Sequence, residues 1–306
     1  MKIIKPNELS LLSCSVVETD DLDGKEWNAS TTYAADSIVR YNHYTYTSIE
    51  DGNVGNDPEK TSTGSDAKWI KVIATMPYRM LDDYIETQTE APIGEPLIFS
   101  VPFKRGDAMA LLNIHGIKGH LKITDRDDGI VTLDKEIDLQ DDIENLSLYE
   151  YYFMPITSVD LYINTDIPIS IDGILEVTIW PGSEQDAAKV GHVICGRKQY
   201  IGETKYDAEV GITDYSRKDT DEFGITTFVE RSYSKNATIN VFVPAYRADK
   251  VSNILSAIRS KPTLIECSNS DVGYTSLTIY GWIEEWRQVY SGPNENELRI
   301  EVQGLI

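Results

Sequence analysis

The sequence predicts a mainly β, multi-domain protein: a small aromatic β module, a jelly-roll-like β-sandwich, and a C-terminal β barrel or sandwich with one helix. Three observations predict this. Short apolar runs rich in Val, Ile, Tyr and Phe recur along the 306 residues, punctuated by Gly, Pro, Asp and Asn. One stretch alone, about Tyr246–Arg259, has clear helical periodicity. Its Val251, Ile254, Leu255 and Ile258 fall at i, i+3, i+4 and i+7, and Pro262 marks the stop. No internal repeat or heptad run is visible, which argues against a fibre shaft.

Taken in order, residues 1–26 read as an N-terminal arm, a short apolar piece followed by the acidic run ETDDLDGKE. Residues 27–72 form a small module of short strands with the turn-rich loop NVGNDPEKTSTGSD. Residues 73–96, carrying Pro77, Pro92, Gly94 and Pro96, read as a connector. Residues 97–181 hold about seven strand-like runs: LIFSVPF, MALLNIHG, GHLKITD, IVTLDKEI, YYFMPI, VDLYINT and ILEVTIW. That spacing predicts a sandwich. Residues 182–306 alternate strands ATINVFVPA, TLIECS, SLTIYGWIEEW and ELRIEVQGL with the single helix, and SGPNENE reads as a turn.

Composition narrows the function classes. Hydrophobic residues make up 41% and charged residues 25%, a globular balance. The net charge of −22 disfavours nonspecific nucleic-acid binding and docking on anionic lipid, both of which need excess Lys and Arg. Cys14, Cys195 and Cys267 are odd in number and far apart, so neither a disulfide framework nor a zinc site is expected. No apolar run is long enough to span a membrane, and the start MKIIKPNELSLLSCSVVETDD does not read as a secretory leader.

The order Trp27, Tyr33, Val39, Tyr41, Tyr44, Tyr46, Gly55, Asp57-Pro58, Trp69 resembles the small chitin/cellulose-binding modules. The resemblance implies sugar stacking on Trp27, Tyr41, Tyr44, Tyr46 and Trp69, since the apolar face of a pyranose packs on an aromatic ring. Where such modules usually carry adjacent aromatics, this chain has Ile49-Glu50-Asp51.

Other motifs are weaker. Asp125, Asp127 and Asp128 before Gly129, with Glu136 further on, echo a calcium loop, but position six is Ile130 and the flanks read as strands. Asp138, Asp141, Asp142 and Glu144 are an acidic run with glycosidase-type residues and no visible cleft. His43, His115, His120 and His192 are scattered, with no HExxH and no GxSxG. No catalytic residue, metal or cofactor is expected. Tyr149–Phe153, Trp282 and Trp286 are aromatic clusters suited to a strand core or a subunit contact. The polar stretch from Val210 to Gly224 reads as an ordered loop touching a neighbouring subunit through Arg217 and Lys218.

The whole layout resembles a class of bacteriophage virion proteins. The likeness rests on the KPNEL-type start, the Trp27-to-Trp69 stretch, Met80-Leu81-Asp82, the central sandwich, and GITDYSRKDTDEFG followed by VERSYSK. It implies a tail, collar or baseplate component made in the bacterial cytoplasm. It further implies a homo-oligomeric ring that joins the tail to fibres or to the host surface. The alternative expectation is a lectin-like adhesin contacting host polysaccharide, and the third is a glycan-cleaving tail enzyme.

Overall fold

The computed structural model describes residues 1–140, 158–220, 222–224, 226–267 and 275–305. The chain begins with β1 (Lys2–Pro6), β2 (Ser13–Cys14) and a single helical turn, α1 (Asp20–Asp23). β3 (Lys25–Glu26), β4 (Ile38–Tyr41), β5 (Tyr44–Ser48) and β6 (Trp69–Ala74) form the sheet of the aromatic module. A 3-10 segment, Met76–Leu81, and β7 (Thr89–Glu90) lead into the body.

The body continues with β8 (Leu97–Phe103), β9 (Ala108–His115), β10 (Lys118–Asp125), β11 (Val131–Asp138), β12 (Leu161–Asn164) and β13 (Gly173–Trp180). Then come the long β14 (Lys189–Tyr200), β15 (Glu203–Thr204), β16 (Glu209–Asp214), β17 (Arg217–Thr220), β18 (Thr226–Val229) and β19 (Tyr233–Pro244). The helix α2 (Ala248–Ala257) precedes β20 (Thr263–Glu266), β21 (Thr278–Val289) and β22 (Glu295–Gly304).

Two large sheets organise these strands. One has eleven strands, with the path β12-β9-β14-β1-β20-β21-β22-β19-β15; β16 pairs with β19 and β7 with β14. The other has five, in the order β11-β10-β13-β8-β2. They face each other as a β-sandwich over Leu97, Phe99, Val101 and Phe103 of β8, Leu121 and Ile123 of β10, and Met109 and Leu111 of β9. Period-two alternation explains this face: β13 reads buried at Leu175, Val177 and Ile179, with its intervening residues less covered.

The second half of the long sheet is covered by α2 instead. Val251, Leu255 and Ile258 pack on Ile3, Ile239, Val241, Ile265 and Ile300. The opposite face of the long sheet carries a third cluster built on Ile4, Ala108, Ala110, Ile194, Leu264 and Tyr280. The helical stripe expected from the sequence lies where expected, with Val251, Leu255 and Ile258 all buried.

Two expected boundaries require correction. Residues 1–26 are not an arm: β1 is an interior strand, antiparallel to β14 on one side and β20 on the other, with Ile3 and Ile4 fully buried. Nor is 97–181 a self-contained sandwich. Its β9 and β12 join the sheet that also holds β19 to β22, and β14, β1 and β2 complete its layers from outside. Extended apolar strands were legible, but which sheet each one joins is decided by partners far away in sequence. The expected strand YYFMPI and the cluster Tyr149–Phe153 lie outside the described residues.

The β1–β14 contact is tight because β14 carries Gly196. A Cβ there would stand 2.2 Å from the Lys5 carbonyl oxygen. Gly196→Ala is therefore expected to force the two strands apart and cost about 2–4 kcal/mol. Urea unfolding of the purified variant measures this; a loss under about 0.5 kcal/mol, the range of ordinary surface changes, would contradict the packing argument.

Candidate interaction surfaces

The aromatic module folds around Val39, Tyr46 and Trp69. β4 and β5 are joined by Asn42-His43, both at positive φ (52° and 65°), a two-residue turn whose twist matches the strands. Trp69 is 0% exposed and Tyr46 2%. The Trp69 indole N–H donates to the Asn56 carbonyl at 3.0 Å, and Tyr33 meets the ring edge-on at 5.3 Å. These two expected stacking residues are thus core residues, because the module is too small to build a core without its largest rings.

Trp27, Tyr41 and Tyr44 are half-buried around that core. Trp27 and Tyr41 make an edge contact at 5.3 Å, and the Tyr41 hydroxyl reaches the Asp57 carboxylate at 3.4 Å. The Lys71 ammonium sits 3.3 Å from the Tyr44 ring centroid. Glu50 is ion-paired with Lys68 at 2.8 Å, and Asp51 accepts from the Ala35 backbone N–H at 2.9 Å. The module is tied to the body by Asp23, a fully buried carboxylate that accepts from the Met76 N–H at 2.7 Å and the Thr19 N–H at 3.1 Å.

The segment around Arg217 and Lys218, expected as a loop, is a β-hairpin. β16 pairs with the first half of β19, and β17 and β18 then pair with each other as a separate two-stranded ribbon. Every residue of β17 and β18 is exposed. Arg217 is ion-paired with Asp219 at 2.8 Å, and Lys218 lies 5.9 Å from the ring of its cross-strand partner Phe228. Phe223 is 89% exposed, Phe228 67% and Ile212 64%. Alternation along the sequence gave no warning of this apolar display, since it lies among charged residues. Trp286 packs partly buried beside the core under α2, and Trp282 is half-buried on the same strand.

The remaining candidates do not converge. Asp125 and Asp128 cap backbone N–H groups of the turn between β10 and β11, at Asp127 and Ile130, while Glu136 is ion-paired with Lys118 at 2.9 Å. Asp138 accepts from the Gln140 N–H, and Asp141, Asp142 and Glu144 lie outside the described residues. Among the described residues no group of three or more His, Cys, Asp or Glu is placed to hold a metal ion. No described helix is long and apolar enough to cross a membrane, which says nothing of a β-barrel. Burial pushes the Cys195 and Cys267 thiols up to about 12, so neither ionises near neutrality.

The four histidines have four separate environments. His43 stacks on Tyr78 and meets Glu18 at 3.0 Å. His115 pairs with Asp186 at 2.9 Å and His120 with Asp134 at 2.8 Å. His192 lies buried against Tyr280, ring centroids 4.9 Å apart and Nε2 3.1 Å from the hydroxyl. Tyr280 also lines an open cleft of about 300 Å³ with Ile85, Leu112, Asn113, Leu161 and Lys235.

Burial lowers the His192 pKa from 6.5 to about 4, against the opposing pull of Asp83 and the Asp82 backbone. The folded protein therefore holds this ring neutral. As pH falls from 6.5 towards 4 the unfolded chain binds a proton the folded chain refuses, and stability declines. The expected loss from this one group is up to about 3 kcal/mol. Urea denaturation of His192→Gln across that window should show a shallower acid limb than the wild type; parallel limbs would contradict the assignment.

No protein family and no curated protein matched the chain. The surfaces themselves therefore carry the functional reading. Tyr44→Ala is expected to leave the module folded, while Trp69→Ala should cost about 3–5 kcal/mol and unravel it. Limited proteolysis within residues 27–72 distinguishes the two, and equal protection of both variants would overturn the division between rim and core.

Proposed function

We propose that this chain is a structural component of a bacteriophage virion: a tail, collar or baseplate adaptor present in several copies, linking the tail to fibres or to the host surface. One observation carries the reading. The separate ribbon of β17 and β18 follows β16 at the edge of the long sheet, is exposed along both strands, and carries Phe223 and Phe228 with most of their surface exposed. An exposed ribbon that carries large apolar side chains beside an unclosed sheet edge is an aggregation hazard unless another chain covers it. A subunit whose edges are covered in an assembly has that covering by design, and head-to-tail copies close into rings.

The acidic balance of 50 Asp and Glu against 28 Lys and Arg suits a subunit that must stay dispersed before it assembles. The lectin-like alternative has less support, since Tyr46 and Trp69 are buried and Lys71 occupies the face of Tyr44.

Gold-labelled antibody against this chain, applied to particles from the source culture and viewed by electron microscopy, tests the proposal. Label clustered at the tail end or collar is the expected result. Particles that carry no label at any position would remove the virion reading.

A further inference from the structure

A cluster of positive charge in this acidic chain lies beside α2. Lys5 of β1 and Arg197 of β14 are directly opposite each other in the strand register, and both are exposed. Like charges facing across a strand pair destabilise it. Among the described residues neither has an acidic partner, and Lys250 of α2, also exposed, has none. Arg247 completes the rim, its guanidinium donating to the Tyr200 carbonyl at 2.9 Å and lying over that ring.

These side chains line two adjoining cavities of about 300 and 450 Å³, which share Gln199, Lys250 and Ile254. The inner wall is apolar, with Ile254, Ala257 and Ile258; among the described residues no Asp or Glu lines either cavity, though the lining Lys198 is ion-paired with Asp166 at 3.2 Å. A groove with a cationic rim and an apolar wall fits a short segment that carries carboxylates and a large apolar side chain together.

The chain presents such a segment. The tip of the β17–β18 ribbon exposes Glu222 beside Phe223, with Phe228 on the following strand. Neither Glu222 nor Phe223 lines either cavity of its own chain. The ribbon extends beyond the Tyr233 end of β19, whereas Arg247 and α2 follow the Pro244 end. The 12 residues of β19 alone separate those ends by roughly 40 Å.

We infer that the groove between α2 and the β1–β14 pair receives the ribbon tip of a second copy of this chain. Because donor and acceptor are different surfaces, the contact is head-to-tail and repeats from copy to copy. The inference deepens the multi-copy reading proposed above and rests on it for its biological setting only. A nucleic acid is a poorer occupant, since the groove sits on a chain of net charge −22.

Sedimentation velocity of the full chain at low salt tests it, using wild type, Lys250→Glu, Glu222→Lys and an equimolar mixture of the two variants. Both substitutions are at exposed positions. The wild type is expected to self-associate, and each variant alone to do so at least about tenfold more weakly. The mixture should recover association, because each variant's tip then meets the other's complementary groove.

Wild type that stays monomeric at every concentration overturns the inference, as does association that neither substitution changes or that mixing fails to restore. The gold-label experiment is independent. Label on particles with charge-insensitive association would leave the virion reading standing and the groove assignment wrong. Absence of label with rescued association would do the reverse.

Discussion

Everything on either side of β1 depends on that strand being held between β14 and β20. Alternation sends its consecutive residues to different places: Ile3 joins the cluster under α2, and Ile4 the cluster on the opposite face. Its neighbour β14 does the same, with Val193 and Cys195 in the sandwich core and Ile194 beside Ile4. Five residues thus connect three apolar clusters. The helix-covered half and the sandwich half are therefore one hydrogen-bonded sheet, and a change in strand spacing at Gly196 is felt in both.

The aromatic module stands in a different relation to the body. It has its own four-stranded sheet and its own small cluster. Its attachment includes polar contacts, the Asp23 carboxylate on the Met76 N–H and the Thr75 hydroxyl donating to Glu18 at 2.7 Å, together with the stack of His43 on Tyr78. Burial alone would raise the Glu18 pKa, but the hydrogen bonds from Thr75 and His43 outweigh it and hold the carboxyl below its ordinary range. A carboxylate kept ionised at the root of the module stays a strong acceptor for Thr75 and His43 at neutral pH.

Much of the β architecture was legible because most strands are half-buried and alternate. LIFSVPF coincides with β8, and the runs assigned near β9, β10, β11 and β13 shift by a residue at most at either end. Among the strands that escaped notice, β1 and β14 are the interior pair. β14 is buried continuously from Val190 to Gly196, so it shows no alternation, and Gly191 and Gly196 read as breaks. β1 is short and ends in Pro6. The candidate surfaces were less legible. Stacking and core roles both use flat aromatic rings, and only the paths of β4 to β6 decide that Trp69 sits in the core and Tyr44 at its half-buried rim. The cationic groove was invisible, since Lys5 and Arg197 lie far apart in sequence and meet only through strand pairing.

The position of β1 also orders events during synthesis. Its pairing partners lie near Tyr200 and near Glu266, so Lys2–Pro6 leaves the ribosome long before either exists. At elongation rates of about 5–20 residues per second, the wait for β14 is on the order of ten to forty seconds. Through that interval an apolar strand with both edges open is tethered to a growing acidic chain. The long sheet can close only after β22 has been made, so the five residues of β1 stay unpaired until β14 emerges to cover one edge and β20 the other.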